Sequence, residues 1–255
     1  MTYGFFDVRV VARSRLTPSA VRLTFAGPQL GAFASGGRDQ RCKLFFPAPG
    51  QSTAIVPRTP GWYPEWRAMD PAVRAVMRTY TVAAHRPDEF DVDFALHPGG
   101  GPANRWAARA QAGDRLLVLG PTVTDNGGVD FQPPDGTDWV LLAGDETAVP
   151  ALAAIRAHVG DSLPVHTFVA AAPARCAPGV VHCPAGLLGP VRAAALPAGT
   201  PYAFIAGESG EIRALRRHLV HERGFDRRRV KFTGYWRRGA SEDDLIKEAA
   251  VPEGD

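Results

Sequence analysis

The 255-residue sequence predicts a small antiparallel β-barrel in its first half and a parallel α/β sheet in its second half. Short alternating, β-branched or aromatic runs, separated by Pro and Gly at close intervals, predict the barrel. Continuous apolar runs that alternate with helical patterns predict the parallel sheet. The Gly-, Pro- and Asp-rich stretch 125–138 is typical of a linker. We therefore expect one domain at 1–124 and a second at 139–255.

The barrel strands are predicted from five runs in the first domain. They cover residues 6–11, 19–26, 41–46, 78–84 and 89–96. Residues 47–71 are rich in Pro and Trp without a clean period, which predicts a long surface loop with room for a helical turn. The segment 97–107 predicts a glycine-rich turn that leads into a helix, and the apolar run 116–119 predicts one more buried strand.

The second domain is predicted from four apolar runs and two helical patterns. The strands cover 139–143, 165–171, 202–206 and 229–233, and the helices cover 148–158 and 211–223. Ligands of parallel α/β sheets bind at the carboxyl ends of the strands. The turns 144–147 and 207–209 both follow such strands, so they predict the ligand-binding edge.

Composition and charge exclude several classes of protein. The net charge of +3 is too small for a generic nucleic-acid binder, although basic residues crowd the last quarter of the chain. No apolar run has membrane-spanning length and no signal peptide is seen, so we expect a cytoplasmic protein without membrane insertion. Three cysteines without a Cys-x-x-Cys pair argue against a disulfide framework, and the scattered histidines predict no protein-bound metal.

The run Arg78-Thr79-Tyr80-Thr81 carries the strongest chemical signal. In a strand, alternation places Arg78 and Tyr80 on one face and Thr79 and Thr81 on the other. A flavin dinucleotide needs a planar donor fork for its pyrophosphate, an aromatic platform for its ring system and a hydroxyl for its ring nitrogens. An ordinary amphipathic barrel strand can carry the same pattern, so the run needs support from elsewhere.

Support comes from the glycine-rich segment 97–107. Glycines let backbone N–H groups approach a phosphate, and the helix that follows adds unpaired N–H donors and the positive end of its dipole. Asn104 or a neighbour is expected to cap this helix. The alternative is a plain connection from loop to helix to strand.

The turn Gly144-Asp145-Glu146-Thr147 is not a Gly-x-Gly-x-x-Gly fingerprint. Its two carboxylates would repel a phosphate placed directly on them, so a nicotinamide or a ribose hydroxyl is the better neighbour. Acidic residues and Thr are also favoured at the beginning of a helix, so Asp145, Glu146 and Thr147 are equally suited to capping.

Together these segments resemble the siderophore-interacting proteins, which are FAD-dependent ferric-siderophore reductases of the ferredoxin-reductase superfamily. The matching segments run nearly end to end: 16–25, 43–47, 78–81, 97–107, 144–151, 206–208 and 234–239. The segments Gly144-Asp145-Glu146-Thr147-Ala148, Ala206-Gly207-Glu208 and Gly234-Tyr235-Trp236-Arg237-Arg238-Gly239 are the most specific in combination.

The resemblance implies FAD as cofactor, NADPH or NADH as electron donor, and a ferric siderophore as substrate of a monomer. Hard oxygen ligands hold Fe(III) far better than Fe(II), so no side chain need act as acid or base on the iron complex. The implied cofactor-binding residues are Arg78, Thr79, Tyr80, Thr81, His97, Gly101, Pro102, Ala103, Asn104, Trp106, Gly144, Asp145, Glu146, Thr147, Ala148, Gly207, Glu208 and Trp236. The implied substrate-binding cations are Lys43, Arg237 and Arg238, for which an ordinary surface charge is the alternative.

The sequence departs from the family pattern at several points. Asn104 stands where similar proteins usually carry Ser, and Thr122-Val123 stands where a basic residue and Gly are common. The stretch 173–201 lacks the expected acidic, Trp-containing pattern, which leaves the choice between NADPH and NADH open. Two alternatives therefore stay open: a flavin reductase that passes electrons to another acceptor, and a flavin- or siderophore-binding module without turnover.

Overall fold

A computed structural model describes residues 2–97 and 99–240 of the chain. The chain divides into two compact units, of which the first ends at Asp130 and the second begins at Phe131. This division falls inside the stretch 125–138 that the sequence marks as a linker. Residues 241–255 of the predicted second domain lie outside the described residues. None of the described helices is long and apolar enough to cross a membrane.

The first unit is an antiparallel sheet with two helices. Its strands are β1 (Tyr3–Thr17), β2 (Ala20–Ala26), β3 (Arg41–Phe46), β4 (Val76–Thr81), β5 (Ala84–Arg86), β6 (Glu89–Ala95) and β7 (Arg115–Pro121), and its helices are α1 (Trp62–Ala68) and α2 (Pro102–Arg109). The strand order is β4-β3-β7-β1-β2-β6-β5. Irregularities between Val10 and Ala12 and between Arg15 and Thr17 interrupt the pairing of β1 with β2, and such bulges increase the local twist.

The sheet curls into a half-barrel around one hydrophobic core. That core combines residues of the strands with Ala103 and Ala107 of α2. Strands β4 and β6 are separated in the strand order, yet the ring centroids of Tyr80 on β4 and Phe94 on β6 lie 4.5 Å apart. The antiparallel architecture predicted for the first half is confirmed, in the form of a curled sheet.

Two local elements of this unit differ from the sequence prediction. The run 78–84 is not one strand, because β4 ends at Thr81 and a short hairpin of β5 and β6 begins at Ala84. The stretch 47–71 contains α1, whose Trp66 is only 1% exposed and donates its indole N–H to a backbone carbonyl 3.0 Å away. A buried indole therefore anchors a stretch that has no periodic pattern.

The second unit is a parallel sheet with helices. Its strands are β8 (Trp139–Asp145), β9 (Val165–Ala170), β10 (Val180–His182), β11 (Pro201–Glu208) and β12 (Val230–Trp236), and its helices are α3 (Val149–Val159), α4 (Leu188–Ala193) and α5 (Ser209–Arg217). The strand order is β10-β9-β8-β11-β12. Leu141 packs into a core on one face of the sheet and Leu142 into a core on the other. Burial on both faces explains the continuous apolar run of β8 and confirms the predicted parallel architecture.

Strand β10 and helix α4 were not predicted, and the last helix differs from its predicted bounds of 211–223. Helix α5 begins earlier, at Ser209, because the preceding Glu208 caps it through a hydrogen bond from the Glu211 N–H. Beyond Arg217 the chain continues as a π-helical turn over His218–Glu222, in which Nδ1 of His218 lies 2.8 Å from Oε2 of Glu222.

Asp91 of β6 is a buried carboxylate that joins three neighbouring strands. It accepts hydrogen bonds from Oγ1 of Thr24 on β2, at 2.8 Å, and from both terminal nitrogens of Arg86 on β5, at 2.8 and 3.1 Å. Burial raises the pKa of Asp91, but the hydrogen bonds from Arg86 and Thr24 outweigh burial, and the pKa lies below its ordinary value of 3.8. A lowered carboxyl pKa stabilises the fold above that ordinary value, and this stabilisation is lost as the pH falls through the lowered pKa.

We expect Asp91→Asn to reduce the free energy of unfolding by about 1 kcal/mol at neutral pH, because charge-assisted hydrogen bonds become neutral ones. The difference from the unchanged protein should shrink below about pH 4. Urea unfolding at several pH values measures it, with Asp88→Asn in the adjacent exposed turn as the matched control. A difference that stays constant down to about pH 3 would contradict the assigned role of the Asp91 charge.

Candidate functional site

Strand β4 presents Arg78 and Tyr80 on one face, as the alternation predicts. In the pairing with β3, Tyr80 lies opposite Cys42 and Arg78 opposite Leu44, whereas Thr79 lies opposite Lys43. Cys42 and Leu44 belong to the hydrophobic core of the half-barrel, and Tyr80 packs against that core. Arg78 and Tyr80 therefore share the core side of the strand.

The Tyr80 strand and the glycine-rich turn meet through shared aromatic neighbours. The Tyr80 ring lies 4.5 Å from Phe94 and 6.5 Å from Phe46, measured between ring centroids. Trp106 of α2 packs against the same two rings, at 6.5 Å from Phe94 and 5.4 Å from Phe46. Two motifs separated in the sequence are thus fixed next to each other by one aromatic cluster.

Each of the three glycines before α2 has a different structural role. Gly99 has a φ of +73°, which favours glycine. A Cβ added to Gly100 would lie 2.3 Å from Cγ of Asn104, so the Asn104 side chain occupies the space that Gly100 leaves. A Cβ added to Gly101 would meet no heavy atom within 4 Å, so the turn exposes its backbone there to open space.

The predicted capping role of Asn104 is wrong. The N-cap of α2 is Gly101, and no side chain of the residues that the structure describes caps this helix end. Asn104 instead donates from Nδ2 to the carbonyl of Ala95 at 2.8 Å, which ties the first turn of α2 to β6. Arg105 donates from Nη1 to the carbonyl of Gly100 at 2.8 Å, which ties the helix to the preceding turn.

The remaining predicted residues of this unit differ in exposure. Arg78 is half-buried and donates from Nη1 to the carbonyl of Met77 at 2.7 Å. Thr81 is buried, whereas His97 is exposed on the turn that leads to α2. Pro102 is the first residue of α2, where its missing N–H costs no helical hydrogen bond.

These residues fit an FAD molecule by the chemistry of their donors. The first turn of a helix leaves N–H groups without helical partners, and the open backbone at Gly101 lies at that position. The Arg78 guanidinium supplies a planar donor fork, and Tyr80 supplies a half-buried aromatic ring.

Lys43 lines a pocket on the other side of β4. Its Nζ donates to Oγ1 of Thr79 at 3.2 Å. The pocket has a volume of about 390 Å³. It is lined by Tyr3, Arg41, Cys42, Lys43, Thr79, Leu119, Gly127 and Gly128. Sequence reasoning missed Arg41, although the alternation that places it two residues before Lys43 puts both cations on one face.

Asp145 joins the carboxyl ends of three strands in the second unit. Its Oδ1 accepts from the backbone N–H of Thr147 at 2.9 Å and from the Thr147 hydroxyl. Its Oδ2 accepts from the backbone N–H of Glu208 at 2.9 Å and from Nε1 of Trp236 at 2.7 Å. The structure thus brings together three of the predicted residues that are far apart in the sequence.

Glu208 holds a second set of backbone groups at this edge. Its Oε2 accepts from the N–H of Glu211 at 2.9 Å, and its Oε1 accepts from the N–H of Arg238 at 3.2 Å. The hydrogen bond from Glu211, which has the larger effect, and the one from Arg238 lower the pKa of Glu208 below its ordinary value. The backbone of the predicted substrate residue Arg238 is therefore anchored to the predicted nucleotide turn.

The other predicted residues of this unit have different surroundings. Ala148 is fully buried in the core beside α3, and Gly144 is required because an added Cβ would lie 2.5 Å from the Ala148 Cβ. Glu146 is half-buried in the turn between β8 and α3. Arg237 forms an isolated bridge with Ala240 just after β12.

Comparisons with known proteins cover both units. The family model of the siderophore-interacting FAD-binding domain matches residues 9–125, and that of the siderophore-interacting protein matches residues 137–239. Ferric vibriobactin reductase ViuB of Vibrio cholerae is 29% identical, over 94% of this chain and 92% of its own length. The NADPH-dependent ferric-chelate reductase of Escherichia coli is 27% identical, over 91% of this chain and 92% of its own length.

Solved structures agree with these matches. A siderophore utilization protein from T. fusca is 30% identical with a TM-score of 0.78, covering 94% of this chain and 95% of the other. The ferredoxin reductase of carbazole 1,9a-dioxygenase shares the fold at 21% identity and a TM-score of 0.63, covering 91% of this chain and 66% of the other. With one family model matching each unit and a solved relative at 30% identity, the chain belongs to the siderophore-interacting protein family.

Proposed function

We propose that the protein is an FAD-dependent ferric-siderophore reductase, which uses NADPH or NADH to reduce Fe(III) to Fe(II) and thereby releases iron. The observation that carries this proposal is the aromatic cluster through which Tyr80 and Trp106 meet, because it joins the two halves of the predicted FAD site. The names of the Vibrio and Escherichia relatives, which describe ferric reductases, support the same activity.

The first unit binds FAD in this proposal. Arg78 holds the pyrophosphate through its guanidinium fork, together with backbone N–H groups of the turn that contains Gly101. The Tyr80 ring is the aromatic platform, and Thr81 and His97 complete the set of binding residues. When bound, FAD supplies the conversion between a two-electron hydride donor and one-electron acceptors.

The second unit binds the nicotinamide nucleotide at the carboxyl edge of its sheet. The turn 144–148, the pair Gly207-Glu208 and Trp236 are the proposed binding residues. Their support is the hydrogen-bond network of Asp145, which holds these segments together at the edge where parallel sheets bind ligands. The proposed donor is NADPH or NADH.

Iron release follows from coordination chemistry and needs no acid or base from the protein. Hard oxygen ligands of a siderophore hold Fe(III) far better than Fe(II), so adding one electron weakens the complex. One nicotinamide donor carries two electrons and therefore reduces two ferric complexes. Lys43, Arg237 and Arg238 are the proposed cations for an anionic siderophore. Arg41 lines the pocket of Lys43, and its charge is paired there with Asp130 at 3.1 Å.

Stopped-flow absorbance of the FAD-loaded protein tests the proposed function. Mixing with NADPH or with NADH under anaerobic conditions should bleach the flavin bands, and adding a ferric chelate should restore them. Free FAD with the same donors is the control. If neither donor bleaches the flavin, the proposed enzymatic activity is rejected and a binding module without turnover remains.

The choice of electron acceptor requires a separate measurement. Turnover with ferric siderophores should exceed turnover with carrier proteins or free flavin, and the reverse order would favour a general flavin reductase. We also propose that the protein acts as a monomer in the cytoplasm, where nicotinamide donors are available. Light scattering after size exclusion measures the oligomeric state.

A further inference from the structure

The two oxygens of the Asp145 carboxylate accept hydrogen bonds from different segments at the edge of the sheet. Strands β8, β11 and β12 are neighbours and run parallel, so their carboxyl ends lie side by side. Oδ1 of Asp145 is used by the turn after β8, whereas Oδ2 is used by Glu208 at the end of β11 and by Trp236 at the end of β12. An ionised carboxylate accepts hydrogen bonds and donates none, so it suits a position surrounded by donors.

The neighbouring backbone makes room for this arrangement. Gly207 has a φ of +146°, and a Cβ added there would lie 2.7 Å from Oδ2 of Asp145. Gly234 is equally constrained, because its Cβ would lie 2.3 Å from Oγ of Ser209. The Ser209 hydroxyl in turn donates to the carbonyl of Trp236 at 3.0 Å. Both the backbone and the indole of Trp236 are therefore fixed by hydrogen bonds.

The fixed indole of Trp236 is exposed. Its exposure is 38%, whereas Trp66 and Trp139 are almost fully buried. A partly exposed aromatic ring whose N–H is held by a carboxylate keeps one orientation while part of its surface stays accessible. Such a ring is suited to stack against a flat heteroaromatic ligand, since offset or edge contacts between aromatic systems are favourable.

We infer that Asp145 is a positioning residue that orients the Trp236 indole for the nicotinamide nucleotide, rather than a residue that contacts the nucleotide through its own carboxylate. The ring of Trp236 provides the contact, and Asp145 acts through it. This inference rests on the proposed function only in assigning a nicotinamide nucleotide to this edge of the sheet.

Three variants test the inference in the full-length, FAD-loaded protein. Trp236→Phe keeps an aromatic ring but loses the N–H donor, and Asp145→Ala removes the acceptor, which the amide oxygen of an asparagine would retain. Each should raise the KM for the nicotinamide donor about tenfold while changing kcat with a ferric chelate less than about twofold. The double variant should be no worse than Asp145→Ala alone, because both changes remove the hydrogen bond between Asp145 and Trp236.

The matched control is Trp139→Phe, at the opposite end of β8 from Asp145. Its indole nitrogen is buried and has no hydrogen-bond partner among the described residues, so the KM should stay unchanged. Near-UV circular dichroism gives a readout that does not depend on turnover. Asp145→Ala should lose the same tryptophan band that Trp236→Phe loses, because the ring is no longer fixed.

Additive effects of the two substitutions on KM, or a tryptophan band that survives Asp145→Ala, would overturn the inference. A failure of the proposed function would look different: neither NADPH nor NADH would bleach the flavin of the protein without substitutions. In that event the circular dichroism comparison still decides whether Asp145 fixes the ring.

Discussion

Arg78→Ala is expected to lower the affinity for FAD by about 10- to 150-fold, because a charge-assisted hydrogen bond contributes about 1.5–3 kcal/mol. Arg78 is well suited to this contribution. It is half-buried beside Tyr80, and its hydrogen bond to the Met77 carbonyl at 2.7 Å restrains the side chain before any ligand binds. A restrained side chain loses less conformational entropy on binding than a free one.

Titration of the FAD-free protein with FAD, followed by flavin fluorescence or calorimetry, measures this change. Arg109→Ala is the matched control, since it removes the same charge at the far end of α2. Arg78→Lys separates the charge from the planar fork and should lie between the unchanged protein and Arg78→Ala. An Arg78→Ala protein that purifies as yellow as the unchanged one would show that the FAD site is assigned wrongly.

The parts of the fold that could be predicted are those with strong burial patterns. Strands β8 and β11 are buried on both faces, so their apolar runs are visible in the sequence. Strand β10 has three residues at the edge of its sheet, and α4 has six residues with only Val191 buried. Elements this short leave too few positions for a period to appear, and their tertiary neighbours decide their structure.

The residues of the candidate site also fall into those that the sequence predicts and those that depend on tertiary contacts. The shared face of Arg78 and Tyr80 follows from alternation alone, so the sequence was sufficient to predict it. The capping role of Asn104 was predicted wrongly, because the propensity of Asn for helix caps is local whereas its hydrogen bond to Ala95 depends on packing. The bond between Asp145 and Trp236 joins residues 91 positions apart, and no local pattern reveals such a contact.

Because the Asn104 side chain occupies the space beside Gly100, a larger residue at position 100 should destabilise the fold. Gly100→Ala would place a Cβ 2.3 Å from Cγ and 2.4 Å from Oδ1 of Asn104. The Asn104 side chain would have to move and lose its hydrogen bond to Ala95. Overpacking costs about 1–3 kcal/mol, and the lost hydrogen bond adds about 1 kcal/mol to the destabilisation.

We therefore expect Gly100→Ala to lower the free energy of unfolding by about 2–4 kcal/mol and to weaken FAD binding, since the first turn of α2 is displaced. Urea unfolding and FAD titration measure the two effects. Gly101→Ala is the control for stability, because its Cβ meets no atom within 4 Å and its φ of −65° is ordinary. Adding Asn104→Ala to Gly100→Ala removes two of the three clashing atoms and leaves the Cβ of residue 104, which lies 2.6 Å from the added Cβ, so the double variant should recover part of the stability that Gly100→Ala loses. If the two substitutions instead destabilise additively, the contact between Gly100 and Asn104 does not set the position of the helix.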